Sequence, residues 1–344
     1  MDLLGKSINK KLLLFLFECL ILLGSCNNGI KVETFNEITI PHCDDTLSMS
    51  EDFIESVDTV ELSLDDEVFI ADIQDACYQD SLLFILDSNN SIFAFNTNNG
   101  KLQKMIRYVG RSNSEYLDAK AITIDQTYLY VLDFQGRKIN RYDFQLNFTD
   151  YIRIGFPAMD FAKVKDGFLI YNLNANESDK QIVFIGMDGK IKSSFLEPSF
   201  EMDYMMTDKI FSEDENGTVF ISLPMSNCLY SWEDDSVNVM YNIGFEDESN
   251  AKDLKKSSEL IEKVKSIVVR SFVTSKYVLT FYSSEDKPYM FINVYDKERK
   301  VSESGVATFH PISSFNQWLI CVYNITEDQD NSGRLLFRKY RIKR

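Results

Sequence analysis

Residues 119–154 read AKAITIDQTYLYVLDFQGRKINRYDFQLNFTDYIRI. Four runs stand out: Ala119–Asp125, Tyr128–Asp133, Lys138–Asp143 and Thr149–Ile154. Each is rich in β-branched and aromatic residues and too short for a helix. The spacing predicts four antiparallel strands in a unit of about 47 residues, the period of one β-propeller blade.

Working outward, the same pattern recurs. Apolar runs begin at Leu82 (LLFILD), Tyr128 (YLYVLD), Phe168 (FLIYN), Val219 (VFISL), Tyr277 (YVLTF) and Trp318 (WLICVY). Most follow a turn, such as Asp80-Ser81 or Asp166-Gly167. A second run follows each, beginning at Ser91, Lys138, Gln181, Asn227, Tyr289 and Leu335. Asn99-Gly100 and Asp188-Gly189 then supply hairpin turns. A lone four-stranded sheet cannot bury both faces, but a ring of blades lets each sheet cover its neighbour. The expected fold is therefore all-β: a six-bladed β-propeller of four-stranded antiparallel blades, spanning residues 51–344. The last unit ends at Leu335–Ile342 without a fourth strand, while an unused strand, SVDTVELS (Ser56–Ser63), lies at the front. The expectation is that this N-terminal strand joins the last blade and removes its open edge. One turn of helix is expected near Met49–Glu55. Residues 246–265 carry Leu254, Leu260, Ile261 and Val264 at helical spacing and read as a charged helical excursion on one face of the ring.

The front of the chain is an address. Lys6, Lys10 and Lys11 precede an apolar stretch, Leu12–Leu23, with the length of a signal peptide rather than a spanning helix. Leu23-Gly24-Ser25-Cys26 is similar to a bacterial lipobox. Residues 1–25 are read as a lipoprotein signal peptide, Cys26 as the lipid attachment site and residues 26–50 as a lipidated tether holding the chain to a membrane. Asn27 in place of Asp favours the outer membrane, with the periplasmic or surface side left open.

With Lys+Arg 36 and Asp+Glu 53, the net charge of −17 argues against nucleic-acid binding and for neutral or cationic ligands. His42 and His310 are the only histidines, too few for most His-based catalysis or zinc sites, and no nucleophile elbow, P-loop or dinucleotide fingerprint is present. None of Cys43, Cys77, Cys228 and Cys321 forms a C-x-x-C pair; Cys43 with Cys77 is one candidate bridge. Asp72, Asp75, Asp125, Asp160 and Asp214 lie near predicted inner strands and are candidate ligands for a calcium ion, or else turn caps. Asp87 and Asp133 are expected to brace their blades. Tyr108, Tyr116, Phe134 and Phe156 are candidate stacking residues at loop tips.

The paired hydrophobic-Asp and aromatic-Asp runs resemble NHL-type, TolB-like six-bladed propellers. With the lipobox and leader strand, the chain more closely resembles the six-bladed β-propeller lipoproteins of Bacteroidetes, whose signature after the first blade reads roughly G-R-G-P-G-E-Y. Here Gly110, Arg111, Glu115 and Tyr116 fit it, while Ser112, Asn113 and Ser114 depart from it. The resemblance implies an accessory of envelope nutrient handling or sensing. The expected role is a binding module for a glycan, a peptide or an envelope protein. The alternatives are a calcium-dependent hydrolase or lyase using channel carboxylates, and a structural scaffold.

Overall fold

The computed structural model describes residues 36–43, 49–64, 68–172, 179–198, 209–246, 265–284, 287–325 and 334–344. The expected signal peptide, Cys26 and nearly all of the expected helical excursion lie outside the described residues, as do residues 27–35 and 44–48 of the stretch read as a tether.

The strands are β1 (Asn36–Ile40) and β2 (Ile54–Leu62), then six groups. Blade one holds β3 (Ile73–Gln79), β4 (Leu82–Asp87), β5 (Ile92–Asn96) and β6 (Lys101–Ile106). Blade two holds β7 (Ala119–Ile124), β8 (Leu129–Asp133), β9 (Lys138–Tyr142) and β10 (Phe148–Arg153), all within a residue of the expected bounds. Blade three holds β11 (Asp160–Val164), β12 (Gly167–Tyr171), β13 (Ile182–Gly186) and β14 (Ile191–Phe195). Blade four holds β15 (Phe211–Glu213), β16 (Val219–Ser222), β17 (Cys228–Glu233) and β18 (Ser236–Phe245). Blade five holds β19 (Ser266–Val273), β20 (Tyr277–Ser284), β21 (Phe291–Asp296) and β22 (Val301–Val306). Blade six holds β23 (Ser313–Phe315), β24 (Trp318–Ile325) and β25 (Arg334–Ile342), with β2 as its outer strand. The first strands β23, β3, β7, β11, β15 and β19 touch in that order around the axis.

The ring follows from the continuous apolar runs. In β4, Leu83 and Ile85 pack against blade six while Phe84 and Leu86 pack against blade two. A strand buried on both faces needs apolar residues at successive positions, not alternate ones. Six buried clusters among the described residues each join one pair of neighbouring blades, including six to one. Two hairpin glycines help the blades nest. At Gly100 (φ +70) a Cβ would sit 2.0 Å from the Glu61 carbonyl oxygen, and at Gly189 (φ +75) 2.0 Å from that of Arg153. Each turn thus rides on the outer strand of the preceding blade, where only glycine fits.

Closure occurs as expected, with β2 as the outer strand of the last blade. β2 runs antiparallel to β25, with Val57 opposite Tyr340, Thr59 opposite Arg338 and Leu62 opposite Leu335. The stretch read only as a tether does more than link. Asn36–Ile40 adds to β18 as a parallel fifth strand, burying Ile38 and Ile40 between blades four and five. Met49 and Phe53 then pack between blades five and six. Residues 49–53 form no helix; a turn closed by the Ile54 N–H donating to the Glu51 carbonyl (2.8 Å) leads into β2. The leader therefore fastens three consecutive blades.

Asp87 and Asp133 brace their blades as expected. The Asp133 carboxylate accepts from the backbone N–H groups of Leu117 (3.1 Å), Asp118 (3.0 Å) and Gly136 (2.9 Å). Asp87 accepts from those of Ala71, Asn89 and Ser91. Each ties the entering loop to the turn after the second strand. Neither Cys43 nor Cys77 is in a disulfide and the two sit in different clusters, so they do not bridge each other.

Candidate functional site

The axis is closed by side chains from the inner strands. Lys209, just before β15, reaches across from blade four to blade one. Its ammonium donates to both Asp75 carboxylate oxygens (2.9 and 3.0 Å) and to the Ile122 carbonyl (3.1 Å). Asp75 also accepts from the Ala76 and Ile122 N–H groups (2.8 Å each), binding blade one to blade two. Asp160 repeats the device between blades three and four, accepting from the N–H groups of Phe161 (2.8 Å) and Ile210 (2.7 Å). The Arg270 guanidinium donates to the carbonyls of Lys209, Pro311 and Ile312. Ser313 Oγ donates to the Ala76 carbonyl (2.6 Å). This polar axle joins blades that no sheet hydrogen bond connects.

The charges respond to it. Burial raises the Asp160 carboxyl to about 6, against the opposing pull of Lys209. Burial works against the Lys209 charge as well, but Asp75 and Asp160 outweigh it and hold the ammonium above its ordinary pKa. An acid with a raised folded pKa stabilises most below its unfolded value, about 3.9, and loses that contribution as pH rises toward 6. Relative to wild type, Asp160→Asn should therefore gain stability between about pH 4 and pH 6 and show no further relative change above that. Urea unfolding of both proteins across this range checks the sign.

Beneath the axle, at the end carrying the hairpins between first and second strands, a funnel opens with a volume of about 850 Å³. Asp80, Asp125, Gln126, Lys165 and Asn316 lie around it, with Trp232 on one side. A deeper recess of about 60 Å³ continues toward Lys209, Ser212 and Ser314. Ile124, Lys163, Glu213, Val219 and Phe315 line both spaces and form the throat. Burial pushes the Lys163 ammonium down, and burial with the neighbouring Asp214 pushes the Glu213 carboxyl up. Cys77 lines the recess, but burial raises its thiol so far that it is no nucleophile.

The five candidate calcium ligands do not share one place. Asp75 and Asp160 reach the axle, where the Lys209 ammonium is the cation that Asp75 holds. Asp125 closes a hairpin turn, accepting from the N–H groups of Thr127 and Tyr128 and from the Tyr130 hydroxyl (2.6 Å). Asp214 does the same for Asn216 and Thr218. Asp72 is exposed before β3, at the opposite end of the blade. His42 and His310 are exposed on different parts of the ring.

Strand direction puts the loop from blade one to blade two at the end away from the funnel. There Gly110–Tyr116 is a structural loop. The Lys138 ammonium donates to the carbonyls of Ser112 (3.2 Å), Asn113 (3.1 Å) and Glu115 (2.5 Å). Glu115 accepts from the Ser112 N–H (2.8 Å), and a Cβ on Gly110 would strike its carboxylate. Of the four candidate stacking residues, Tyr116 and Phe156 are buried and present no ring face. Phe134 is half-buried beneath Lys120, and Tyr108 is 40% exposed, again away from the funnel. The funnel's own aromatics, Tyr78, Phe315 and Trp232, escaped the sequence reading because each sits in a strand run that looks like core.

The family described as "Domain of unknown function (DUF4934)" matches residues 34–336. No curated protein matches the chain. Among solved structures, a "putative exported protein" of Bacteroides fragilis NCTC 9343 superposes with a TM-score of 0.72 at 17% identity, covering 90% of this chain and 100% of that one. A member of the DUF4221 family from Bacteroides vulgatus ATCC 8482 superposes with a TM-score of 0.59 at 13% identity, covering 84% and 97%. At these identities the likeness is one of fold.

Proposed function

This chain belongs to the DUF4934 family, and from that premise we propose that it is a ligand-binding module of the cell envelope whose site is the axial funnel. The observation that carries the reading is the continuous recess of about 850 Å³ on the axis, roofed by a hydrogen-bonded axle. A rigid scaffold with a concave, mixed polar and apolar wall binds without needing to move. The chemistry near the axis is structural: Lys209, Asp75 and Asp160 hold one another and the backbone, so the reading is of binding rather than turnover.

The envelope assignment rests on the leader. Leu23–Cys26 carries the lipobox pattern, and the exported Bacteroides fragilis neighbour supports the same destination. Cys26 is the lipid-bearing residue in this reading, and the outer membrane is the expected site. Glycans and peptides are the ligand classes to test.

The test is a glycan and peptide array probed with the whole chain and with Gln126→Trp, which narrows the mouth. Ligands that lose about tenfold or more in affinity on that change support the funnel. An array with no ligand, or ligands indifferent to the change, would count against it. Cys26→Ala should move the protein from the membrane to the soluble fraction.

A further inference from the structure

Glu213 is the last residue of β15, on the inner strand of blade four. Its main chain is fixed from across the axis: its N–H donates to Ser314 Oγ (3.0 Å), and that hydroxyl donates to its carbonyl (3.0 Å). Its half-buried side chain stands at the throat, lining both the funnel and the deeper recess. Other carboxylates beside these spaces are engaged or wet. Asp75 holds Lys209, Asp125 holds its turn, and Asp80 is exposed at the rim. Among the described residues, the Glu213 carboxylate has no hydrogen-bond or ion-pair partner. The nearby Lys163 ammonium turns back onto the carbonyls of Val164 and Lys165.

A carboxylate withdrawn from water without a partner is costly, and a ligand cation relieves that cost. The shape restricts which cation. Ile124, Val219 and Phe315 flank the throat, so the charge must enter with an apolar group beside it. The recess beyond, about 60 Å³, ends at Lys209, whose ammonium is already paired with Asp75, so the ligand's head seats at the throat beside Glu213 rather than deeper. The net charge of −17 draws cations toward the molecule.

We propose that the funnel recognises a primary ammonium with an apolar group beside it, seated against Glu213, as presented by a peptide's free amino terminus on an apolar residue or by a lysine side chain. This rests on the funnel being the binding site.

The test is calorimetry on the whole chain with five probes: hexylamine, the tripeptide leucyl-glycyl-glycine, its N-acetyl form, Nα-acetyl-lysine amide and cellobiose. Hexylamine and the free tripeptide should bind, and N-acetylation should weaken the tripeptide by about tenfold or more. Glu213→Gln should reduce amine binding to the acetylated level, while Glu213→Asp retains part of it and neither variant unfolds below the wild-type temperature. Binding of the lysine amide would identify the side chain as an accepted source; its failure beside a binding tripeptide would restrict the site to amino termini. Equal binding of the acetylated tripeptide, amine binding unchanged in Glu213→Gln, or no amine binding at millimolar concentration would overturn the proposal. If the acetylated tripeptide or cellobiose binds and Gln126→Trp abolishes it, the funnel stands and the ammonium assignment falls. If Gln126→Trp leaves all binding intact, the funnel itself is wrong.

Discussion

Lys209→Met should lower the unfolding free energy by about 3–5 kcal/mol, the usual cost of removing one partner from a buried ion pair. The lysine side chain is 14% exposed and that of Asp75 4%, so the pair is a buried one. Two inner strands would be weakened at once, because the same ammonium bonds Asp75 of blade one and the Ile122 carbonyl of blade two. Pairing the change with Asp75→Asn should recover part of the loss, since the uncompensated charge is then gone. Urea midpoints of the two single variants and the double variant measure this directly. A loss below about 1 kcal/mol for Lys209→Met, typical of a surface pair, would mean that the axle is not closed as described.

Phe53→Ala should cost about 3–5 kcal/mol, as expected for deleting a buried aromatic side chain. Phe53 is 4% exposed. Its ring meets Tyr277 of blade five edge-on at 6.4 Å and lies 6.3 Å from Phe309, which stacks on Tyr340 of blade six. The residue belongs to the leader, outside any blade, so a tether with no structural duty would lose almost nothing. Thermal and urea unfolding distinguish these outcomes.

The blades were legible because the second strand of each is buried on both faces, which writes continuous runs such as LLFILD and YLYVLD into the chain. Closure was legible by counting, since the last unit lacked a strand and Ser56–Ser63 was left over. The strand at Asn36–Ile40 was not. Its alternation, with only Ile38 and Ile40 inward, is short and sits next to polar residues that resemble a linker. The axle was equally hidden: Lys209 and Asp75 are 134 positions apart, and nothing local marks either as a partner of the other. Asp75 and Asp160 were correctly placed near inner strands, but their partners proved to be an ammonium and backbone amides. Tyr116 and Phe156 misled because they occupy loop sequence while filling the gaps between blades. Glu213 was passed over beside Asp214, whose turn-capping role is the one adjacent acids usually share.

The ring is fastened by its own N-terminal strand, and a cysteine cross-link tests that most directly. Thr59 and Arg338 face each other in the β2–β25 register, at the backbone separation a disulfide spans. With Cys321, the other cross-strand neighbour of Arg338, replaced by alanine, Thr59→Cys with Arg338→Cys should form an intramolecular disulfide on mild oxidation of the folded protein. Thr59→Cys with Arg341→Cys, displaced along β25 and onto its other face, should not. Equal cross-linking of both pairs, or none at the first, would contradict the closure.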